Sequence, residues 1–248
     1  MRRNRVSCRW WCLTLLVVGA ATTFAANAAL ADIVQYAITS DTQLDSRDPA
    51  FNFGLSTSAK VVVNGTDGSI ARAVFQIPDE VWDTPGTIVS AKVYFYVWND
   101  QTLGRDVRLH PLTQEFVEGS GKGSATGDGA TWLTRDGANA WNTAGGDYDP
   151  LVGVDAIKPS EGFGWFTWDI TSLWNDTNLR SFGAILKMSD ESDPEYPNQP
   201  RAPLTSSEST QYPCPYVEVS SVPEPGSGML FLAGNALLVG LILRRRRL

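Results

Sequence analysis

Between Asp32 and Ser220 the chain has almost no helical periodicity, and that absence constrains its fold more than anything else in it. An amphipathic helix repeats its apolar residues at spacings of three and four. Here the apolar residues come instead in short β-rich runs separated by clusters of Gly, Pro, Asn and Asp. The runs are "IVQYAI", "AKVVVN", "SIARAVFQI", "TIVSAKVYFYVW", "RDVRLHPL", "GWFTWDI", "SFGAILKMS" and "PYVEVS". Strands at this spacing predict an all-β fold, a jelly-roll-like β-sandwich.

Side chains alternate across a strand with a period of two, so each run can be divided into faces. In "AKVYFYVW", Ala91, Val93, Phe95 and Val97 share one face, and Lys92, Tyr94, Tyr96 and Trp98 share the other. The first is an ordinary core face. The second, a ladder of large aromatics led by a lysine, is either an open platform for sugar rings or the seat of a long loop. The expectation is that the segment 113–162 packs over it. In "WFTW", Trp165 and Trp168 fall on opposite faces, so at most one of them is on the core side.

The segment 113–162 is itself unusual, because excursions of this length without regular structure are uncommon in compact domains. It is Gly-rich and carries Trp132, Trp141 and Tyr148 together with Asp128, Asp136, Asp147 and Asp149. Aromatic rings on Gly-rich loops are readily exposed, and rings stack on the apolar faces of sugars. Trp132, Trp141 and Tyr148 are therefore the candidate glycan contacts. The four aspartates could wrap a structural Ca²⁺ through oxygen ligands, although no EF-hand spacing is present. Their alternative role is turn geometry and solvation. No cofactor is required.

Catalytic signals are sparse. His110 is the only histidine, so any Ser-His-Asp or His-metal site would have to use it. Cys214 is the only cysteine beyond the N-terminal segment, which leaves no intramolecular disulfide in the mature part, and it is expected to be a small buried residue. With 27 acidic residues some carboxylate pair is always close, so a pair alone does not point to glycoside hydrolysis.

Both ends are expected to be something other than folded domain. Residues 1–31 have a basic start (Arg2, Arg3, Arg5, Arg9), an apolar core from Leu13 to Ala26 and an A-x-A site at Ala29 and Ala31. That is a secretory signal peptide with the mature start at Asp32. The other end reads "VPEPGSGMLFLAGNALLVGLILRRRRL". Its uncharged stretch 226–243 rises about 27 Å as a helix, enough for a transmembrane helix in a thin bilayer. The arginines behind it favour the cytoplasmic side, which leaves the middle of the chain outside. No Asp or Glu lies before Asp32 or after Glu224, and each end holds four Arg, so the middle carries 12 basic against 27 acidic residues. A domain this acidic repels nucleic acid, and no nucleic-acid partner is expected.

Residues 32–220 resemble the DNRLRE family. The resemblance rests on Asp41-Thr42, on Asn52-Phe53-Gly54, on Arg72 to Ile77, and on "EFVEGSGKGSATGDGATWLTRDGANAWNTAGGDYD", where Phe116 stands at a position that is commonly Trp. It implies a jelly-roll sandwich of carbohydrate-binding-module type. The C-terminus resembles the PEP-CTERM sorting signal of Gram-negative bacteria: the motif at Val222, Pro223, Glu224 and Pro225, the span 226–243, and the tail Arg244, Arg245, Arg246 and Arg247 within a signal region 221–248. That resemblance implies processing by an exosortase, a membrane-anchored precursor in the inner membrane, and release to the cell surface or extracellular matrix.

The expected function is that of an exported, non-catalytic polysaccharide-binding protein. The alternatives are a matrix or adhesion protein that binds no glycan, and a polysaccharide lyase or hydrolase. Mass spectrometry of the mature protein is expected to find Asp32 at the N-terminus and no "LILRRRRL" end. An intact arginine tail would leave a plain membrane anchor in place of a sorting signal.

Overall fold

The computed structural model describes residues 31–224 apart from residue 196. The signal segment with Ala29, Pro225, the span 226–243 and Arg244 to Arg247 lie outside the described residues. No helix among the described residues is long and apolar enough to cross a membrane.

The regular structure of the described chain is almost entirely antiparallel β-sheet. Its strands are β1 (Asp32–Ala37), β2 (Asp41–Asp45), β3 (Ser58–Val63), β4 (Ile70–Phe75), β5 (Thr87–Val97), β6 (Val107–Pro111), β7 (Val154–Asp155), β8 (Gly164–Asp169), β9 (Ala184–Met188), β10 (Arg201–Thr205) and β11 (Tyr216–Val222). Two short helices, α1 (Asp79–Trp82) and α2 (Thr177–Phe182), sit in connections. The side chain of Asp176 caps α2 by accepting from the Leu179 N–H. The strands are hydrogen-bonded in the order β1-β11-β5-β10-β3-β4-β9-β6-β7, with β2 beside β4 and β8 beside β5.

This one sheet folds back on itself. In the hydrogen-bonded order β4 and β5 are separated by β10 and β3, yet Phe75 and Phe95 meet edge to face with ring centroids 5.1 Å apart. Likewise the Trp168 Nε1–H of β8 donates to the Val107 carbonyl of β6 at 3.0 Å. Between the facing halves lies the main core, which includes Val61, Phe75, Val93, Phe95, Leu109, Phe166, Trp168, Leu186 and Val219, all at or below 1% exposure. Burying an aliphatic or aromatic side chain of this kind contributes roughly 1.5–3 kcal/mol, which lets the domain stand without a disulfide. The face with Ala91, Val93, Phe95 and Val97 is the core face, and of the two tryptophans in β8 only Trp168 is on it.

A second, smaller core lies on the other side of β2, β4 and β9. Val74 and Ile185 point away from the main core and are still fully buried, as is Leu44. Leu112, Phe116, Ala130 and Trp141 of the Gly-rich segment pack onto them. The segment therefore covers the outside of the β2-β4-β9 half, not the aromatic ladder of β5 as its place in the sequence led us to expect. Apolar residues on both faces of β4 ("IARAVF") and β9 ("AILKM") are what a covered outer face requires.

Asn52 ties that cover down. Its side-chain amide is fully used: Nδ2 donates to the carbonyls of Glu118 at 2.6 Å and Ala130 at 2.8 Å, and Oδ1 accepts from the N–H groups of Gly121 at 2.7 Å and Gly54 at 3.2 Å. Its backbone pairs with Ser124. Gly119, at φ 81°, passes so close that a Cβ there would stand 2.7 Å from Asn52 Oδ1.

Three strands were not read from the sequence as separate runs: β2, β7 and β10. β10, "RAPLT", carries Pro203 in its middle, which argues against a central strand. Arg201 exchanges both backbone bonds with Gln101, so the Pro203 nitrogen two residues on faces that same side, where β10 has one register pair with β5, Leu204 with Val97. The missing donor costs little there. Cys214 differs from expectation too: it is exposed, with its thiol 3.5 Å from the Ser209 carbonyl.

Replacing Asn52 by Ala strands four buried backbone groups at once. Each unsatisfied buried group costs about 1–3 kcal/mol, so the substitution is expected to lower unfolding free energy by about 3 kcal/mol or more in urea denaturation. A loss below about 1 kcal/mol would mean that the segment is held elsewhere.

Candidate functional site

The outer face of β5 carries Lys92, Tyr94, Tyr96 and Trp98, each half-buried. Register places Tyr216 of β11 opposite Tyr94 and Trp165 of β8 opposite Tyr96. Tyr212, just before β11, completes a strip of six rings. Tyr94 and Tyr216 stack at 4.7 Å with planes 12° apart, Tyr96 and Tyr212 at 5.7 Å and 18°, and Trp98 and Tyr212 at 5.5 Å and 5°. Trp165 stands edge-on to Tyr94, Tyr96 and Tyr216. Such contacts hold the rings to one another, each worth about 0.5–1.5 kcal/mol beyond burial, so the strip is rigid. At its far end the Tyr94 hydroxyl lies 3.4 Å from Glu218 Oε1. Burial and that carboxylate push the Tyr94 phenol up to about 12, so it remains a neutral hydrogen-bonding group.

At the other end the strip runs through Trp98 into a groove of about 650 Å³ over β3 and β10. The groove is bordered by Arg47, Lys60, Lys122 and Arg201 against two carboxylates, Asp45 and Asp48. Lys60 and Lys122 are exposed and, among the described residues, have no ion-pair partner. Arg47 pairs with Asp67 and Arg201 Nε donates to Gln101 Oε1, which orients both guanidinium groups. The groove thus gathers four of the 12 basic residues of a middle region that holds 27 acidic ones. With four cations against two carboxylates the groove carries an excess of positive charge, so it attracts an anion more than the protein's net charge implies.

The aromatic candidates of the Gly-rich segment take other places. Trp141 is buried in the second core at 5% exposure, and its Nε1–H donates to the Thr131 carbonyl at 2.9 Å. Trp132 and Tyr148 are half-buried and cover a cation: the Arg72 guanidinium lies 5.1 Å from the Trp132 ring and 5.7 Å from the Tyr148 ring. Arg72 also makes a bidentate pair with Glu191 at 2.8 and 2.7 Å and donates to the Gly145 carbonyl. A Cβ at Gly145, where φ is 90°, would stand 2.6 Å from the Trp132 ring. These rings hold the segment against the sheet.

The four aspartates are not brought together. Asp128 accepts from Ser120 and Thr126, Asp136 from Ala138 and Asn139, Asp147 from the N–H groups of Asn142 and Thr143, and Asp149 from the Leu151 N–H. Each closes its own turn. Those hydrogen bonds hold Asp128 and Asp136 down to about 2. Among the described residues no group of three or more His, Cys, Asp or Glu side chains is arranged to hold a metal ion.

His110 is tied to the cover as well. Its Nδ1 lies 2.6 Å from the Val152 carbonyl and 3.0 Å from that of Asp149, and its ring packs on Tyr148 at 4.9 Å. Burial lowers its pKa, which favours the neutral ring. Ala31 and Asp32 stand at the exposed start of β1, and Asp32 pairs with Ser221. Of the residues expected to form a sorting motif, Val222 is the last residue of β11, and Pro223 and Glu224 follow it exposed. Asp32 and the Val222–Glu224 stretch therefore lie side by side at one end of the paired strands β1 and β11.

The sequence alternation in β5 pointed to the aromatic strip; Tyr212 and the basic groove had no sequence signal, because their members come from separate segments. No known protein family matches the chain, and no curated protein matches it.

Proposed function

We propose that this is an exported, non-catalytic protein that binds polysaccharide through the outer face of β5, β8 and β11 and the adjoining groove. The observation that carries this reading is a strip of six mutually packed, half-buried rings leading into a groove bordered by four cations and two carboxylates. Rings offer flat apolar surfaces to the C–H faces of sugars. Arg47 and Arg201 offer forked donors that fit carboxylates, and Lys60 and Lys122 offer compact charges. A chain with carboxyl-bearing sugars meets both kinds of contact along one line. A glycan also suits an acidic domain, since the groove concentrates the attraction that the net charge would otherwise cancel.

The folded-over antiparallel sheet fits the jelly-roll-like sandwich that the DNRLRE resemblance implies. Pro223 and Glu224, exposed beside the mature start, fit a sorting signal that an exosortase reads before release from the inner membrane to the cell surface or matrix. A matrix or adhesion role without glycan binding is the second reading. Its support is the edge strand β1, whose Ile33 and Val34 are exposed at 65% and 37%.

Affinity electrophoresis of the full-length protein in non-ionic detergent tests the choice. Gels containing a uronic-acid polysaccharide are expected to retard the protein more than gels containing a neutral glucan. Trp98→Ala and Arg201→Ala should each reduce the retardation about tenfold, Arg201→Ala with melting temperature nearly unchanged and Trp98→Ala with the loss of about 0.5–1.5 kcal/mol of ring packing. Trp132→Ala should do the opposite, lowering stability by about 1–3 kcal/mol through loss of ring packing and the cation contact. No retardation by any polysaccharide, together with self-association, would decide for the adhesion reading.

A further inference from the structure

At the start of β2 three carboxyl groups from three distant segments meet with no basic side chain among them. Asp41, the first residue of β2, is 1% exposed. Its N–H donates to Glu118 Oε1 at 2.8 Å, and its Oδ2 accepts from the Ser207 N–H at 2.8 Å. The Ser207 hydroxyl donates in turn to Glu208 Oε1 at 2.9 Å. Two of the remaining oxygens, Asp41 Oδ1 and Glu208 Oε2, are buried without any hydrogen-bond partner. No ion pair among the described residues involves Asp41, Glu118 or Glu208. Burial, with mutual repulsion added, pushes both Asp41 and Glu118 up to about 7.

A buried carboxylate oxygen without a donor is costly, and three adjacent carboxyls multiply the cost unless a positive charge joins them. We propose that Asp41, Glu118 and Glu208 form a binding site for one hard divalent cation of the Ca²⁺ type. The donors are oxygens only, with carboxylates leading, which is the ligand chemistry of Ca²⁺ and not of a soft metal. Among the described residues no group of three such side chains stands arranged to hold a metal ion, so binding requires side chains to move. Glu118 and Glu208 are half-buried, and their flexible side chains can turn toward the fixed Asp41 to complete the site.

The location gives the ion a role in the fold and in the candidate site. The Glu118 carbonyl is one of the four groups held by Asn52, so an ion on the Glu118 side chain braces the clamp on the Gly-rich segment. Glu208 begins a turn in which the Ser209 hydroxyl donates to the Tyr212 carbonyl at 3.0 Å, and Tyr212 stacks on Tyr96 and Trp98. Cation binding at β2 thereby steadies the ring that joins the strip to the groove.

The full-length protein in non-ionic detergent, stripped with EDTA and dialysed, is titrated with CaCl₂ alone by calorimetry and melted with and without it slightly above neutral pH. One Ca²⁺ per chain is expected, with a dissociation constant on the order of 10⁻⁴–10⁻³ M as in other extracellular modules. The melting temperature should rise by about 5 °C at saturating CaCl₂. Asp41→Asn and Glu208→Gln should each weaken binding at least about tenfold, and Asp128→Asn, in its separate turn, should leave it unchanged. Should Asp41→Asn fail to fold by near-UV circular dichroism, Glu208→Gln carries the comparison. Two results overturn the site: a wild-type protein stabilised by acid and indifferent to CaCl₂, or binding abolished by Asp128→Asn. Both are independent of any glycan, so failure here leaves the polysaccharide reading standing.

Discussion

The whole arrangement depends on what the Asn52 amide holds in place. An asparagine side chain has two donors and one oxygen able to accept twice, and here every one is spent on the backbone of the Gly-rich segment or of its own turn. A segment of this length has no ladder of its own to satisfy its peptide groups, and buried peptide groups must be paired. Asn52 supplies that pairing at the point where the segment crosses the sheet. Arg72, Trp132 and Tyr148 supply a second fixing point, with the cation paired to Glu191 and covered by two rings.

With the segment fixed over β2, β4 and β9, the proposed binding function falls to the opposite face. A folded-over sheet has two outer faces, and the segment covers only one. The other is left with its rings partly in water, packed against one another tightly enough to hold their geometry. Preorganised rings bind with less loss of conformational freedom than rings on a mobile loop. In the proposed reading the groove at the end of the strip adds direction, since its four cations outnumber its two carboxylates and draw a carboxylate-bearing chain to that end of the face.

Much of the fold could be read from the sequence, because two-residue alternation is a direct imprint of a half-buried strand. It separated Val93 and Phe95 from Tyr94 and Tyr96 and put Trp165 and Trp168 on opposite sides. It did not show which element covers which face. That choice is made by contacts far apart in sequence, Asn52 with Glu118 and Arg72 with Glu191. The best local clue was the apolar character of both faces of β4 and β9. Trp132 and Trp141 were legible as aromatic residues in a glycine-rich loop, but loop composition alone does not distinguish an exposed ring from one that pins the loop down. β10 was missed because its proline weighs against a strand wherever the facing edge is unknown. The carboxyl cluster at Asp41 had no signature at all, since its three members are at least 77 residues apart along the chain.

The central claim is that ligands meet the strip on β5, β8 and β11 and not the Gly-rich segment, and the indole N–H signals of the tryptophans report this directly. In a residue-resolved NMR titration of the protein with a uronic-acid oligosaccharide, the indole signals of Trp98 and Trp165 are predicted to move progressively. Those of Trp132 and Trp141 should stay in place, because one covers Arg72 and the other is bonded to the Thr131 carbonyl. Shifts confined to Trp132 and Trp141, with Trp98 and Trp165 unmoved, would contradict the account.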